Sequence, residues 1–299
     1  MVPHLKPERA DHRGDLISAK IREDRWLSAV CGRGVFEVVV VRAGLGSSAG
    51  AVRGVHEPLS RHASGRVRAM YYAKVDPREI DVVRALTSAG LYMVDAQVTL
   101  TRGLQEEPPR VAPAGLTIAR ARPEHCMRVL AIAASCFDYS RFHLDPGVPL
   151  DVANRIKREW MISYFRKERG DQLLVALREG RPVGFVALLV GGTGARRVGR
   201  IDLIGVDRGC RRQGIGRALV IAAMAEARTR CHELRVGTQL ANLPSIRLYQ
   251  NLGFAILESR YVMHLHVGMI AERDGWWAPP EGPQQRRPSR STANTPERR

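Results

Sequence analysis

The chain has little of several things, and each shortage excludes a class of function. No apolar run approaches the ~18 residues that a membrane-crossing helix needs. The start, Met1 to Lys6, carries no apolar signal core. The expectation is a cytoplasmic protein with no membrane partner. Cysteine is sparse: Cys31, Cys126, Cys136, Cys210 and Cys231 are scattered without metal-ligand spacing. An odd, dispersed set without a secretory signal reads as reduced thiols, and no metal is expected. Aromatic residues make up only 6% of the chain and do not interleave with the basic ones. There is no zinc-finger spacing and no stacking platform for single strands, so nucleic acid is an unlikely partner by composition. Acidic residues are outnumbered, with 47 Lys and Arg against 30 Asp and Glu and a formal charge of +17. That balance favours anionic partners, and small polyanions satisfy it as well as nucleic acid does.

Two common phosphate loops are also missing. The informative stretch begins with the apolar run Ile201-Asp202-Leu203-Ile204-Gly205-Val206, which suits a buried strand. A turn follows through Arg208, Arg211, Arg212 and Gln213 to Gly214-Ile215-Gly216-Arg217, and a helix pattern continues to Met224. A Walker loop would end in Gly-Lys-Ser/Thr, but Gly216 is followed by Arg217-Ala218. A dinucleotide fingerprint needs a small residue three places after its second glycine, and Leu219 stands there. What remains is Arg-x-x-Gly-x-Gly between a strand and a helix. The first-turn N–H groups of that helix lack intrahelical partners and the dipole is positive there, so the turn suits an anion. Gly214 and Gly216 let oxygens approach the backbone, and the arginines add forked donors.

A second stretch runs from Leu234 to Phe254. It reads as a strand, a loop and a short helix, with Asn242 as N-cap, Pro244 in the first turn and Gly253 as the stop. Asn242, Ser245 and Tyr249 lie three and four apart and so share a face. Capping alone would account for Asn242, and an amphipathic core position would account for Tyr249.

Together, Arg211-x-x-Gly214-x-Gly216 and Asn242-x-x-Ser245-x-x-x-Tyr249-x-x-x-Gly253-Phe254 resemble the acyl-CoA site of the GNAT N-acetyltransferase superfamily. The resemblance implies acetyl transfer from acetyl-CoA to a primary amine. It implies that Arg211, Arg212, Gln213, Gly214, Ile215, Gly216 and Arg217 hold the pyrophosphate. Asn242 and Ser245 would lie along the pantetheine arm, Ile204, Gly205 and Val206 would bind the thioester, and Tyr249 would act as general acid. One departure is Arg208, where the family often has proline. Asp202 is the first candidate for the base, followed by His143 and His264. A closer resemblance rests on Thr238-Gln239-x-x-Asn242, on Glu258-Ser259-Arg260-Tyr261-Val262-Met263-His264 and on Ser140-Arg141-Phe142-His143-x-Asp145-Pro146. These segments are similar to TDP-fucosamine N-acetyltransferases and related enzymes acting on nucleotide-linked amino sugars. By that likeness Arg141, His143 and Asp145 would line the acceptor side. A GNAT enzyme acting on a protein N-terminus or small amine, and a non-catalytic CoA-binding sensor, are the competing readings.

The organisation expected is α/β with a mixed α+β sheet, the GNAT fold preceded by a smaller α/β domain. Residues 1–23 read as a loose terminus. Residues 24–102 read as the small domain, 103–115 as a linker, 116–268 as the catalytic domain, and 271–299 as a disordered tail. Within the small domain, Ala43 to Gly65 reads as a loop, and Asp76-Pro77 as the start of a helix. Ala85 to Leu91 echoes Leu248 to Phe254 in spacing, which points to a degenerate half-copy of the larger domain. Two short strands, Phe254 to Glu258 and Tyr261 to His266, are expected at the end. A monomer or homodimer acting on a small-molecule amine is the expected unit.

Overall fold

Residues 16–43, 48–106, 113–170, 172–192 and 197–268 are described in a computed structural model of the chain. The first elements are β1 (Leu16–Glu23), α1 (Arg25–Cys31), β2 (Gly34–Ala43), α2 (Ser48–Ala63), β3 (Ala69–Val75), α3 (Ile80–Ser88) and β4 (Tyr92–Gly103). Then come β5 (Leu116–Arg120), α4 (Cys126–Ala133), α5 (Leu150–Phe165), β6 (Gln172–Arg178), β7 (Arg181–Gly191) and β8 (Val198–Val206). The chain closes with α6 (Ile215–Arg228), β9 (Glu233–Gln239), α7 (Leu243–Gln250) and β10 (Ala255–Val267). All ten strands form one mixed sheet in the order β1-β2-β3-β10-β4-β9-β8-β7-β6-β5. The expected α/β fold with a mixed sheet is what the chain adopts.

Strand alternation sorts the helices into two layers. On one face Val98, Leu100 and Val236 pack beneath α6 and α7, and Tyr71, Ala73 and Met263 pack beneath α2 and α3. On the other face Val175, Phe185 and Leu203 lie under α4 and α5, and Tyr72 joins Ile156 and Leu27 under α5 and α1.

The two halves repeat an order of elements and exchange their last strands. Apart from α1, which stands between β1 and β2, the run β1-β2-α2-β3-α3-β4 has the same order as β7-β8-α6-β9-α7-β10. In each, the first pair is antiparallel and the second parallel. The echo seen in sequence is a shared helix end. Gly90 and Gly253 take φ of +94° and +80°. Leu91 N–H bonds Leu86 O and Phe254 N–H bonds Tyr249 O, both at 3.0 Å. These are the 6→1 bonds of a Schellman stop. β4 then leaves its own half to pair with β9, β10 leaves its half to pair with β3, and the two pair with each other.

Several expectations need correction. Leu16–Glu23 is not loose but pairs along its whole length with β2. The stretch read as a loop from Ala43 to Gly65 contains α2, which buries Val55 and Leu59. Its glycine at position 54 serves close packing: a Cβ there would lie 1.8 Å from Ile17 O. Helix α3 starts at Ile80, because the Asp76 carboxylate accepts from Arg78 N–H at 2.9 Å and makes a turn first. Gly103 and Leu104 do not belong to a linker: Gly103 closes β4, and Leu104 is part of the core at 3% exposed. The two final strands are one, β10, with shifts at Ile256/Glu258 and Val262/Met263. Residues 1–15, the linker segment 107–112 and the tail from Ala271 lie outside the described residues.

Candidate functional site

The site is built where the sheet comes apart. β8 and β9 are parallel, and their pairing runs only from Val198↔Glu233 to Ile201↔Val236. Beyond that, β8 continues to Val206 on its β7 partner, and β9 continues to Gln239 on its β4 partner. The inner edges of both strands are therefore left without a ladder, and a polar extended ligand can take the vacant positions. A register shift at Ala187/Leu188 makes a bulge at Asp202. Asp202 and Leu203 then both face α4 and α5, while Ile201 and Ile204 face α6. Gly205 is required by packing: a Cβ there would lie 2.6 Å from Cys136 Sγ and 2.8 Å from the Phe185 ring.

The turn after β8 is tied down on one side and open on the other. Asp207 caps it, accepting from Gly209 N–H at 2.9 Å. Arg208 pairs with Asp138 and donates to Ser135 O at 2.5 Å. Arg211 pairs with Asp138 at 3.1 Å and donates to Cys136 O at 2.5 Å. Arg211, expected at the pyrophosphate, is thus committed to fixing the turn against the segment after α4. Gln213 accepts from Arg178 at 2.7 Å. Arg212 sits at φ +60° and Gly214 at φ +77°, and Gly214, at the N-cap position of α6, has no side chain with which to cap it. Ala218 N–H is the first to bond back, to Gly214 O at 3.0 Å. The N–H groups of Ile215, Gly216 and Arg217 are left for an anion. Among the described residues Arg212 and Arg217 have no ion-pair partner. At Gly216 a Cβ would meet only Leu248 at 3.5 Å and Val206 at 3.9 Å, so the space above it is open.

Asn242 caps α7, accepting from Ser245 N–H at 3.4 Å while its Nδ2 donates to Thr238 Oγ1 at 3.2 Å. Tyr249 is 2% exposed, packs in the core beside Phe254 and has its pKa pushed up by burial. Among the described residues no group hydrogen-bonds its hydroxyl.

The expected base is a structural hub. Asp202 accepts from Trp160 Nε1 at 2.8 Å, Tyr164 OH at 2.9 Å and Arg169 at 2.7 and 3.1 Å. Burial alone would raise its pKa, but Arg169 and the neutral donors outweigh that and hold it low. With its lone pairs occupied it is a poor proton acceptor, so the expectation for Asp202 is corrected. His143 is also spent: Nε2–H donates to Asn154 Oδ1 at 3.1 Å, and Nδ1 accepts from Ser140 Oγ at 2.5 Å. Asp145 is the centre of a second hub. It accepts from His264 Nδ1 at 2.5 Å, His266 Nε2 at 2.8 Å, Tyr92 OH at 2.6 Å and Gly147 N–H at 2.8 Å. Burial opposes its ionisation, yet the two imidazoles hold its pKa low, while burial pushes His264 down to about 4. Asp145, His264 and His266 place one ligand atom each within 4.8 Å of one another. A metal ion could be held there only by displacing both imidazole protons from Asp145. Arg141 Nη1 lies 3.5 Å from His264 Nε2 and its guanidinium lies 4.0 Å over Tyr72.

Two residues that sequence reasoning missed stand out. Lys157 is 6% exposed among aromatic rings, 4.8 Å from Trp160 and 5.0 Å from Phe137, and burial pushes its pKa down to about 8. A lysine is almost never buried without a partner, so its residue type gave no sign that it points inward. Asp95 on β4 is 6% exposed, and its Oδ2 is buried without a partner. It lies in the half of the chain that carries neither motif. A cavity of about 660 Å³ between Arg122, Cys126, Phe165 and Gln172 lies away from the turn and shares only Tyr164 with these hubs.

Comparison with known proteins agrees with this geometry. Residues 129–254 match the acetyltransferase (GNAT) family. Over 145 residues the chain is 29% identical to the spore coat polysaccharide biosynthesis protein SpsD of Bacillus subtilis, covering 48% of each chain. It is 30% identical over 131 residues to mycothiol acetyltransferase of Acidothermus cellulolyticus, covering 42% of this chain and 38% of that one. The chain thus spans about half or less of the length of these relatives. A solved GCN5-related N-acetyltransferase from Sphaerobacter thermophilus superposes with a TM-score of 0.56 at 16% identity, covering 83% of this chain and 76% of that one. The fold and the turn agree with the match of residues 129–254 to the acetyltransferase (GNAT) family.

Proposed function

We propose that the chain moves an acetyl group from acetyl-CoA to the primary amine of a nucleotide-linked amino sugar. The observation that carries the first half is the uncapped start of α6. It has Gly214 at φ +77°, open space at Gly216, and Arg212 and Arg217 unpaired among the described residues. The pyrophosphate would take the N–H groups of Ile215, Gly216 and Arg217. The pantetheine arm would run past Asn242 and Ser245 and pair with the vacant edge of β8 between Ile204 and Val206. That route leads from the α6 face through the gap between β8 and β9 to the face covered by α4 and α5. Backbone donors at that edge would stabilise the oxyanion. Tyr249 would serve the leaving thiolate. A thiol has a pKa of ~8.5 and tyrosine ~10, and burial raises Tyr249 further, so a hydrogen bond to sulfur is favoured over full proton transfer.

The acceptor half is supported by charge. On the α4–α5 face Lys157 is buried with no carboxylate paired to it among the described residues, and Arg141 is held between Tyr72 and His264. Asp202 is ion-paired with Arg169, and the oxygens of Asp145 are filled by hydrogen bonds from His264, His266 and Tyr92. Lys157 and Arg141 thus offer positive charge on this face, which suits an acceptor that carries phosphate. The likeness to a protein of spore coat polysaccharide biosynthesis points the same way. The test is thiol release and product mass with acetyl-CoA and a panel of TDP-, UDP- and GDP-linked amino sugars, the free amino sugars, and a peptide N-terminus. Transfer to nucleotide-linked sugars well above the free sugars is the expected result. Transfer to the peptide alone would overturn the acceptor assignment.

A further inference from the structure

We propose that Asp95, carried by the half of the chain that has no cofactor turn, is the carboxylate that receives the acceptor's ammonium group and takes its proton. The proposal rests on the acetyl-transfer reading and supplies the base that reading lacks.

The argument starts from an orphan. A buried carboxylate oxygen without a partner is costly and calls for an explanation. Asp95 is 6% exposed and its Oδ2 has none. Its environment is legible from the sheet register. Lys74, Val262 and Asp95 lie side by side across β3, β10 and β4. The next row on the same face is Tyr72, His264 and Tyr92, the row that meets Arg141 and Asp145. In the other direction comes Gln97, which lies over Gly237, since a Cβ on Gly237 would be 2.8 Å from Gln97 Nε2. Gly237 is the first residue of β9 beyond its pairing with β8. Asp95 therefore faces the acceptor side one strand away from the gap. With ~4.8 Å between strands and ~3.4 Å per residue, Asp95, two residues along β4 from the Gln97↔Gln239 pair, lies roughly 8 Å from Gln239, which is two residues beyond Gly237 on the stretch of β9 that β8 leaves unpaired. A bound amine can bridge that span to the vacant edge of β8.

Competing bases are excluded by their bonds. Asp202 and Asp145 have their oxygens filled, His143 has both nitrogens engaged, and His264 is engaged by Asp145 at Nδ1 and by Arg141 at Nε2. Lys157, with its pKa near 8, is mostly charged at neutral pH and suits an anion better than a proton. The groups facing Asp95 are Lys74 from β3, Arg141 from the segment after α4, Gln239 from β9 and its neighbour's Ala96 N–H. On β10 its partner is the apolar Val262, flanked along that face by Arg260 and His264. Burial raises the Asp95 pKa to about 6, against the pull of Gln239, Ala96 and the two cations. That brings the carboxylate closer to an amine in basicity while leaving it ionised at neutral pH.

The step balances as follows. The ammonium gives one proton to Asp95 Oδ2. The nitrogen lone pair forms the C–N bond to the acetyl carbon, and the C–S bond breaks with its electron pair going to sulfur. The proton lost from nitrogen as the amide forms goes to that thiolate, and Asp95 returns its own to solvent.

The test is Asp95→Asn, which keeps shape and removes the charge. With a TDP-linked amino sugar as probe, wild-type kcat/KM should fall as pH drops through about 6. The variant should lose about 100-fold or more at neutral pH and lose that acidic limb, as removal of a general base does. Its acetyl-CoA affinity by calorimetry should stay within about twofold. A variant with wild-type kcat/KM, or one that keeps the acidic limb, overturns the proposal while acetyl transfer stands. If the wild type binds acetyl-CoA but transfers to no amine, the acetyl-transfer reading fails first and this proposal with it. Should the variant not fold, carboxyl-carbon NMR of the wild type decides. The Asp95 titration should move to lower pH when the probe's ammonium binds, and an unmoved titration overturns the assignment.

Discussion

Tyr249 brings one oxygen into a region of the core that is otherwise apolar, between Leu252 and Phe254 and under α6. Nothing among the described residues bonds it, and burial favours its neutral form. A neutral, unpaired phenol is suited to donate one hydrogen bond to a leaving sulfur. Tyr249→Phe removes that oxygen and leaves the ring packing. Turnover at saturating acetyl-CoA should fall toward the lower end of the ~100- to 10,000-fold range of acid catalysis, with little change in acetyl-CoA affinity or melting temperature. Near-normal turnover would make Tyr249 a packing residue only. Asp202 shows the limit of reading residues from sequence. Its place on the strand beneath the expected thioester was legible. The bulge that turns it toward Trp160, Tyr164 and Arg169 was not, because it depends on the register with β7. Asp95 was invisible for a similar reason: only the pairing of β4 with β9 and β10 brings it to the site.

At the scale of elements, the strand–turn–helix unit was legible almost to the residue. Its apolar run, its two glycines and the helix periodicity are local signals. Helix α2 was hidden because Gly50, Gly54 and Pro58 read as breakers. Tertiary contact overrides them, since Gly54 allows the helix to lie against Ile17. The same kind of contact governs the end of β8. Gly205 lies under Cys136 and Phe185, and Cys136 is tied to the turn through Arg211. Gly205→Ala would force a methyl into that contact. Overpacking of this kind costs about 1–3 kcal/mol. A urea melt should show that loss, together with weaker acetyl-CoA binding because the strand edge must shift. An unchanged melt would mean that β8 and α4 can part at no cost.

For the molecule as a whole, the boundary expected between a small and a large domain is crossed by the sheet itself. β10 lies between β3 and β4, and β4 fills the place between β10 and β9. Val98, Leu100 and Leu104 from the first half complete the core under α6 and α7. Burying each such side chain is worth ~1.5–3 kcal/mol, so together they approach the ~5–15 kcal/mol by which a typical protein is stable. A chain beginning at Pro113 would lose these side chains and leave β10 with no neighbour. It should show no cooperative melting transition by circular dichroism. A cooperative melt with retained acetyl-CoA binding would mean that the second half is complete alone.

The central claim is that the start of α6 holds the pyrophosphate of acetyl-CoA. Gly216→Asp tests it most directly, because a side chain there meets only ordinary contacts with Leu248 and Val206 and adds negative charge where phosphate should sit. Isothermal calorimetry of acetyl-CoA against wild type and variant, beside melting curves, is the measurement. The account predicts an unchanged melting temperature and an affinity weaker by about 100-fold or more, the effect of placing like charges in contact. Equal affinity in the two proteins would contradict it.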